Sequence, residues 1–346
     1  MLTNFKFIYN NKKQNSNMMN VNLINTNYVY NNYIDIIPYN VNDVKIRGIH
    51  VIHNVYQSKY KYGIASTGLG DFIRGSYFIL DFCFKYKFKP KIIFNNCISK
   101  FLKIKTNGLD KINHVLNQIL SFPNANFKQF LITNEGNILE PTKDTKRIMA
   151  DFVEYLRIVP VYNHNVVAYC ISYPNGSVSE TAKMYMQRIL EPNDEMKLFV
   201  NSILTDLILV PKEYSVIHVR SGDIYLNQSS SVFKKEYIKN LLENIRLNIG
   251  CGVVDNKNYL LISDNNEIKK FILEKFPSVK TLFTEITHFG EGVVLEEQKV
   301  KNTMTDFYLL SFAEKIYAYS SYKHGSGFSY WCAQTYNIPY ICKYVA

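Results

Sequence analysis

Val216-Ile217-His218-Val219-Arg220-Ser221-Gly222-Asp223 is a β-branched run that ends on polar residues able to do chemistry. Side chains alternate along a strand, so His218 and Arg220 share one face at its carboxyl end. That end is where an open α/β sheet holds its ligand. Arg220 offers a planar fork of donors matched to phosphate oxygens. Gly222 lets the backbone take a positive φ or approach a bound group closely, and Asp223 closes the turn. The same octapeptide also fits a buried strand running into a charged turn, with Arg220 paired to Asp223.

Three other stretches could join this one. Thr67-Gly68-Leu69-Gly70 precedes a helical pattern over 71–84, and a Gly-rich loop opening a helix aims backbone N–H groups and the positive helix end at an anion. It is not a dinucleotide fingerprint, because Ile73 stands at the third glycine position of G-x-G-x-x-G, and a purely structural turn fits as well. Ser263-Asp264-Asn265-Asn266 follows the apolar run 259–262. Ser320 to Ser329 follows the run 316–319 and contains His324-Gly325-Ser326-Gly327-Phe328-Ser329, small residues that open another helix, where Ser326 also suits a plain N-cap. Each polar cluster of the second half thus falls just after a predicted strand, which places all three along one crevice.

The elements that must carry these clusters alternate. The second half reads as strands over 215–219, 259–263, 280–283, 315–319 and 340–343. The helices between and after them cover 234–248, 267–276, 303–312 and 327–336. Such alternation implies a parallel, doubly wound sheet. The first half reads as a strand over 62–66, the helix over 71–84 and a strand over 91–94. A helix over 110–120, a hairpin over 131–139, a helix over 146–156 and a strand over 166–172 follow, then helices over 179–190 and 193–207. A length of 346 residues favours two domains, 1–200 and 201–346, with the boundary within 190–212. Residues 1–40 are Asn-rich and hold short strands or loops.

Hydrophobic residues make up 47%, enough for two cores, and the net charge of +11 with a pI near 9.1 points to an anionic partner. Charge alone leaves nucleic acid, a membrane surface and a phosphate-bearing small molecule open. The densest basic run, at 85–91, reads as a solvated helix end or as an anionic patch. Neither an aromatic-basic RNA motif nor a helix-turn-helix signature is present, which argues against nucleic acid. The six cysteines show no C-x-x-C pairing, so buried reduced thiols, no zinc and a reducing compartment are expected. No signal peptide or membrane anchor is readable, and a soluble cytoplasmic protein is the expectation.

Taken together, the motifs resemble those of the fucosyltransferases that use GDP-fucose, the α1,2-, α1,6- and protein O-fucosyltransferase group. His218, Arg220, Gly222 and Asp223 match the H-x-R-x-G-D of its first motif. Leu260 to Asn265 is similar to its second, an apolar strand ending in Ser/Thr-Asp-Asp or Asn. Asp306 to Ser311, with Ser326 to Ala333, resembles the third, and Gly68 to Gly75 the Gly-rich loop of the N-terminal domain. The four span about 60–343 in the expected order; residues 1–55 and most of 95–205 are not covered.

The resemblance implies a GT-B fold, two Rossmann-like domains facing a cleft, and an inverting enzyme needing no metal and no cofactor beyond its nucleotide-sugar donor. That accords with the lack of an Asp-x-Asp cation site. It implies that Arg220 binds the β-phosphate and stabilises the departing GDP, that His218 contacts the nucleoside, and that Ser326, Gly327 and Phe328 add N–H donors. Asp306 would accept from guanine N–H groups, or be a plain helix N-terminal Asp. Asp264 would touch the donor or hold a turn. Asp71 is the candidate general base, with Gly68, Gly70 and Arg74 beside it. The acceptor would be a hydroxyl of a glycan or glycoconjugate. Departures from the pattern bear on acceptor and linkage: Ser221 where the α1,2 enzymes often have a second Arg, the insertion Tyr322-Lys323-His324, Asp71 where many relatives have Asn, and an end at Ala346 without a closing helix. Transfer of another deoxysugar, an idle nucleotide-sugar-binding domain and a nucleic-acid-binding protein are the competing readings.

Overall fold

The computed structural model describes residues 48–54, 56–58, 63–65, 68–86, 89–95, 97–104, 131–132, 165–170, 177–222, 234–249, 258–287, 289 and 296–345. In chain order the strands are β1 Gly48–Asn54, β2 Tyr56–Ser58, β3 Gly63–Ala65, β4 Lys89–Asn95, β5 Leu131–Ile132, β6 Asn165–Cys170, β7 Tyr214–Arg220, β8 Asn258–Ser263, β9 Lys280–Thr281, β10 Lys315–Ser320 and β11 Tyr340–Tyr344. The helices are α1 Leu69–Tyr86, α2 Glu180–Ile189, α3 Asp194–Asp206, α4 Lys235–Ile249, α5 Asn266–Lys275, α6 Glu297–Ser311 and α7 Gly327–Tyr336. The helices predicted over 110–120 and 146–156, and the second arm of the 131–139 hairpin, lie outside the described residues.

β7 to β11 form a parallel sheet in the order β11-β10-β7-β8-β9. Strand order reverses at β7, so the carboxyl ends of β7 and β10 flank the switch point, the place where such sheets leave a crevice. Strands buried on both faces read as continuous apolar runs rather than alternating ones. β7 fits this, being buried from Tyr214 through Val219. Ile217 and Val219 pack with Leu241, Ile245, Ile268 and Ile272 of α4 and α5. Tyr214 and Val216, on the face His218 shares, join a second cluster with Phe307 of α6 and Trp331 of α7.

That second cluster continues without interruption into α1, through Phe72, Tyr77 and Phe78. Tyr77 shares a hydrogen bond with Thr335 of α7 at 2.7 Å, and Tyr308 of α6 donates to the Leu190 carbonyl at 3.0 Å. Among the described residues the first half builds a sheet in the order β4-β1-β6-β5, with every pairing parallel. The strand expected over 62–66 is β3, but it pairs antiparallel with β2 as a separate ribbon. The parallel strand preceding α1 is instead β1. Side-chain caps fix helix starts where the sequence placed polar residues: Ser179 accepts from Ala182 N, and Asn193 from Met196 N, each such cap contributing about 1 kcal/mol.

Among the described residues no helix is long and apolar enough to cross a membrane. Cys83 and Cys332 are buried thiols, whereas Cys342, in the middle of β11, is exposed and departs from the expected burial.

Candidate functional site

The turn after β7 is tied down by a carboxylate from the next strand. Asp264, 3% exposed, accepts from Arg220 Nη1 at 2.6 Å, from the Ser221 amide at 2.8 Å, from the Ser221 hydroxyl at 2.7 Å and from the Gly222 amide at 3.3 Å. A buried carboxylate needs such donors to offset its lost hydration. Asp264 thereby fixes both the guanidinium and the path of the loop. Its neighbour Asn265 works in the other direction, accepting from Glu267 N at 2.8 Å and Ile268 N at 3.1 Å to cap α5. Ser221, which stands where a second Arg was expected from the resemblance, is fully buried. Its small side chain is what the site accommodates. Gly222 has φ +114°, which a side chain would strain.

The third cluster is stitched to the first. Ser321 donates from its amide to the Arg220 carbonyl at 3.1 Å and from its hydroxyl to the Ser221 carbonyl at 2.7 Å. The inserted Tyr322 lies beside the Arg220 guanidinium, 6.0 Å from ring centre to Cζ, and His324 stacks on Tyr322 at 5.2 Å. The expected convergence of three post-strand clusters is therefore present; Asp223 itself lies outside the described residues.

Two helix starts meet here. The Phe72 amide donates to the Gly68 carbonyl at 3.0 Å, so Gly68 is the residue from which α1 springs. A Cβ on Gly70 would lie 2.3 Å from the Gly327 carbonyl carbon and 2.6 Å from the Phe328 nitrogen. The start of α1 thus touches the start of α7 backbone to backbone. Both ends carry unsatisfied N–H groups and partial positive charge. Ser326 occupies the N-cap position of α7, yet its side chain makes no capping hydrogen bond. Asp71, half exposed, pairs with Arg74 at 3.1 Å and has Oδ1 next to Gly327. Of the Gly-rich loop's residues, Gly70 and Asp71 are therefore brought directly against the third motif.

The inner part of this region is polar and buried. His218 is 4% exposed and its ring lies 6.2 Å from that of Phe328. Burial pushes its imidazole down to about 4, against the pull of Asp264, which leaves it neutral at pH 7. Phe328 in turn contacts Phe307, 5.6 Å between centroids, next to Asp306 in α6. Asp306 corrects one expectation. α6 begins at Glu297, not near 303, so Asp306 sits in the third turn and has no helix-start role. It is 3% exposed, and burial pushes its carboxyl up to about 6, opposed by Lys269. Among the described residues, His218 Nδ1 and Asp306 Oδ2 are buried polar atoms without a hydrogen-bond partner. They are two of several such atoms, the Asp81 carboxylate in α1 being another, and a bound ligand is one way such groups are satisfied.

No family model matches the chain, and no curated protein does. Solved fucosyltransferases match it at low identity, with TM-scores below 0.5. They include an alpha-1,6-fucosyltransferase, NodZ, soaked with GDP-fucose, at 14% identity over 83% of this chain and 92% of that one, with a TM-score of 0.47. NodZ from Bradyrhizobium follows at 14% identity, 82% and 92% coverage and a TM-score of 0.44. POFUT1 in complex with GDP matches at 11% identity over 87% and 98%, with a TM-score of 0.47.

Sequence reasoning passed over Lys269, a lysine only 1% exposed whose ammonium donates to the Leu282 carbonyl at 2.7 Å. Helix phase could have found it, since it adjoins the buried Ile268 and lies one turn from the buried Ile272. Ser321 lies within the cluster expected after 316–319, though no separate role is expected for it.

Proposed function

We propose that this chain is an inverting, metal-independent glycosyltransferase that moves fucose from GDP-fucose to a hydroxyl of a glycan or glycoconjugate, its two Rossmann-like halves facing the cleft where α1 meets α7. The observation that carries the reading is the pair of buried polar atoms without a partner, His218 Nδ1 and Asp306 Oδ2, on the same side of the sheet as the anchored Arg220. An unprotonated carboxylate in a dry site calls for N–H donors, and the guanine edge supplies two in a row. A neutral imidazole suits a base or ribose contact better than a phosphate. The phosphates fall to the guanidinium and to the helix starts, as the H-x-R-x-G-D resemblance implies.

In this mechanism Arg220 and the first-turn amides of α7 stabilise the charge that grows on the β-phosphate as the sugar leaves, the guanidinium without reorganising because Asp264 has already set its geometry. Asp71, at the mouth of the cleft, takes the proton of the attacking hydroxyl. The acceptor oxygen forms its bond to the anomeric carbon from the face opposite the departing phosphate, which inverts that centre.

The test is a thermal-shift series with GDP, GMP, UDP and ADP, followed by GDP release from GDP-fucose in the presence of EDTA. A shift confined to GDP, with EDTA-resistant release, is the expected result. An equal shift with UDP, or release that needs added magnesium, would sink the proposal.

A further inference from the structure

The insertion Tyr322-Lys323-His324 forms a β-turn beside the turn that follows β7. The Tyr322 carbonyl accepts from the Gly325 amide at 2.9 Å, which closes it, and Gly325 takes φ +80°. The Tyr322 amide donates to Ser320 Oγ at 3.1 Å, so the insertion starts from a fixed point at the end of β10. From there the Tyr322 ring reaches across the turn after β7. Arg220 Cζ lies over the ring, 6.0 Å from its centre. A Cβ on Gly222 would stand 3.5 Å from the phenolic oxygen and 3.7 Å from the ring carbon that carries it. His324 folds back to stack on the same ring, 5.2 Å between centres and 25° between planes. Tyr322 is half-buried and His324 exposed, so the imidazole is the outer layer.

Resting on the proposed donor site, we infer that Tyr322 is a positioning residue that covers the turn after β7 and holds the plane of the Arg220 guanidinium where it meets the departing diphosphate. Asp264 grips the fork at Nη1, and a hydrogen bond at one nitrogen fixes that end rather than the tilt of the plane. Tilt matters because a guanidinium recognises phosphate through parallel N–H bonds lying in its plane. An aromatic ring acts on this second coordinate. It attracts a cation lying over its face, and it does so without occupying an N–H donor.

Gly222 fits the same arrangement. A side chain there would meet Ser321 Oγ at 3.0 Å as well as the phenol, on a backbone whose φ of +114° already disfavours one. The turn therefore presents bare backbone to the ring. The insertion, which lies outside the matched motifs, thus adds a wall over Arg220 and Gly222, two residues of the first motif.

The experiment follows the Arg220 Nε–Hε signal by NMR in protein carrying isotope-labelled arginine, assigned by its loss in Arg220→Lys. Its order parameter, a measure of how tightly the bond is held, is compared in ligand-free wild type, Tyr322→Phe, Tyr322→Leu and Tyr322→Met, alongside kcat and KM for GDP release from GDP-fucose. Leu and Met keep apolar bulk and remove the aromatic face. The expected result in both is a looser Arg220 bond and a kcat lower by roughly three- to thirtyfold. KM should move less, because the charge that Arg220 meets is largest as GDP departs. Tyr322→Phe keeps the face and should restore both readings. A ring that merely packs the turn would lower the melting temperature of Tyr322→Leu without loosening Arg220. An unmoved order parameter or an unchanged kcat in whichever of the Leu and Met variants folds overturns the inference, as does a Phe variant as impaired as they are. A wild type that binds no GDP overturns the proposed function itself, whereas GDP binding by the wild type with Arg220 equally rigid in the variants overturns only the role of Tyr322.

Discussion

Replacing Asp306 by Asn should strengthen the ligand-free protein and, under the proposed function, weaken GDP binding. Burial raises this carboxyl from 3.8 to about 6, a shift of about two pH units, which corresponds to about 3 kcal/mol. The direction follows from linkage: a folded-state value above the unfolded one favours the fold below about pH 4, and that contribution is lost as pH rises through about 6. Above pH 6 the wild type therefore carries a buried charge that the amide variant does not. Urea unfolding at pH 4, 5, 6 and 7.5 reads this directly, with the two proteins equal near pH 4 and the variant ahead by about 3 kcal/mol at pH 7.5. GDP titration of the same samples should show binding weaker by roughly a hundredfold or more, from losing two hydrogen bonds to a charged acceptor at about 1.5–3 kcal/mol each. A variant less stable than the wild type at pH 7.5, or one that binds GDP within threefold, refutes the reasoning, because burial without a partner is its only premise.

Arg220→Lys keeps the charge but loses the planar fork; turnover should fall roughly a hundredfold in a GDP-release assay, and near-normal rates would show that the guanidinium does not carry the leaving phosphate. Asp264→Asn leaves buried donors facing an amide, and breaking such a pair costs about 3–5 kcal/mol; chemical denaturation without ligand measures it, and an unchanged midpoint would remove Asp264 as the anchor of the loop. Asp71→Asn should cut transfer to acceptor while leaving GDP affinity within twofold, and full transfer activity would take Asp71 out of the proton path.

The C-terminal sheet was readable because its strands are apolar runs closed by polar clusters. α7 spans 327–336 in the structure as in the sequence, with Gly327 at its start and the left-handed Asn337 at its end. The start of α6 was obscured because Glu297, Gln298 and Lys299 face outward, and only Val300, Thr303 and Met304 show the buried face. β3 was placed in the wrong sheet because pairing depends on a partner, and a three-residue run does not announce whether that partner is β2 or a distant strand. At the site, the identities of His218 and Arg220 and their common face followed from alternation alone. The grip of Asp264 did not, because its donors lie 42 to 44 residues away and nothing adjacent to it reports them.

The contact between Gly70 and Gly327 turns residue 70 into a spacer gauge. Because each atom added there lands on the main chain of the opposing helix and not on a side chain that could swing aside, Ala, Ser and Val at this one position would wedge the two helices apart by successive steps. Such a graded series would give a set of proteins differing in the spacing of these two helices, and, under the proposed function, reading acceptor size against wedge size would measure how much room the acceptor requires.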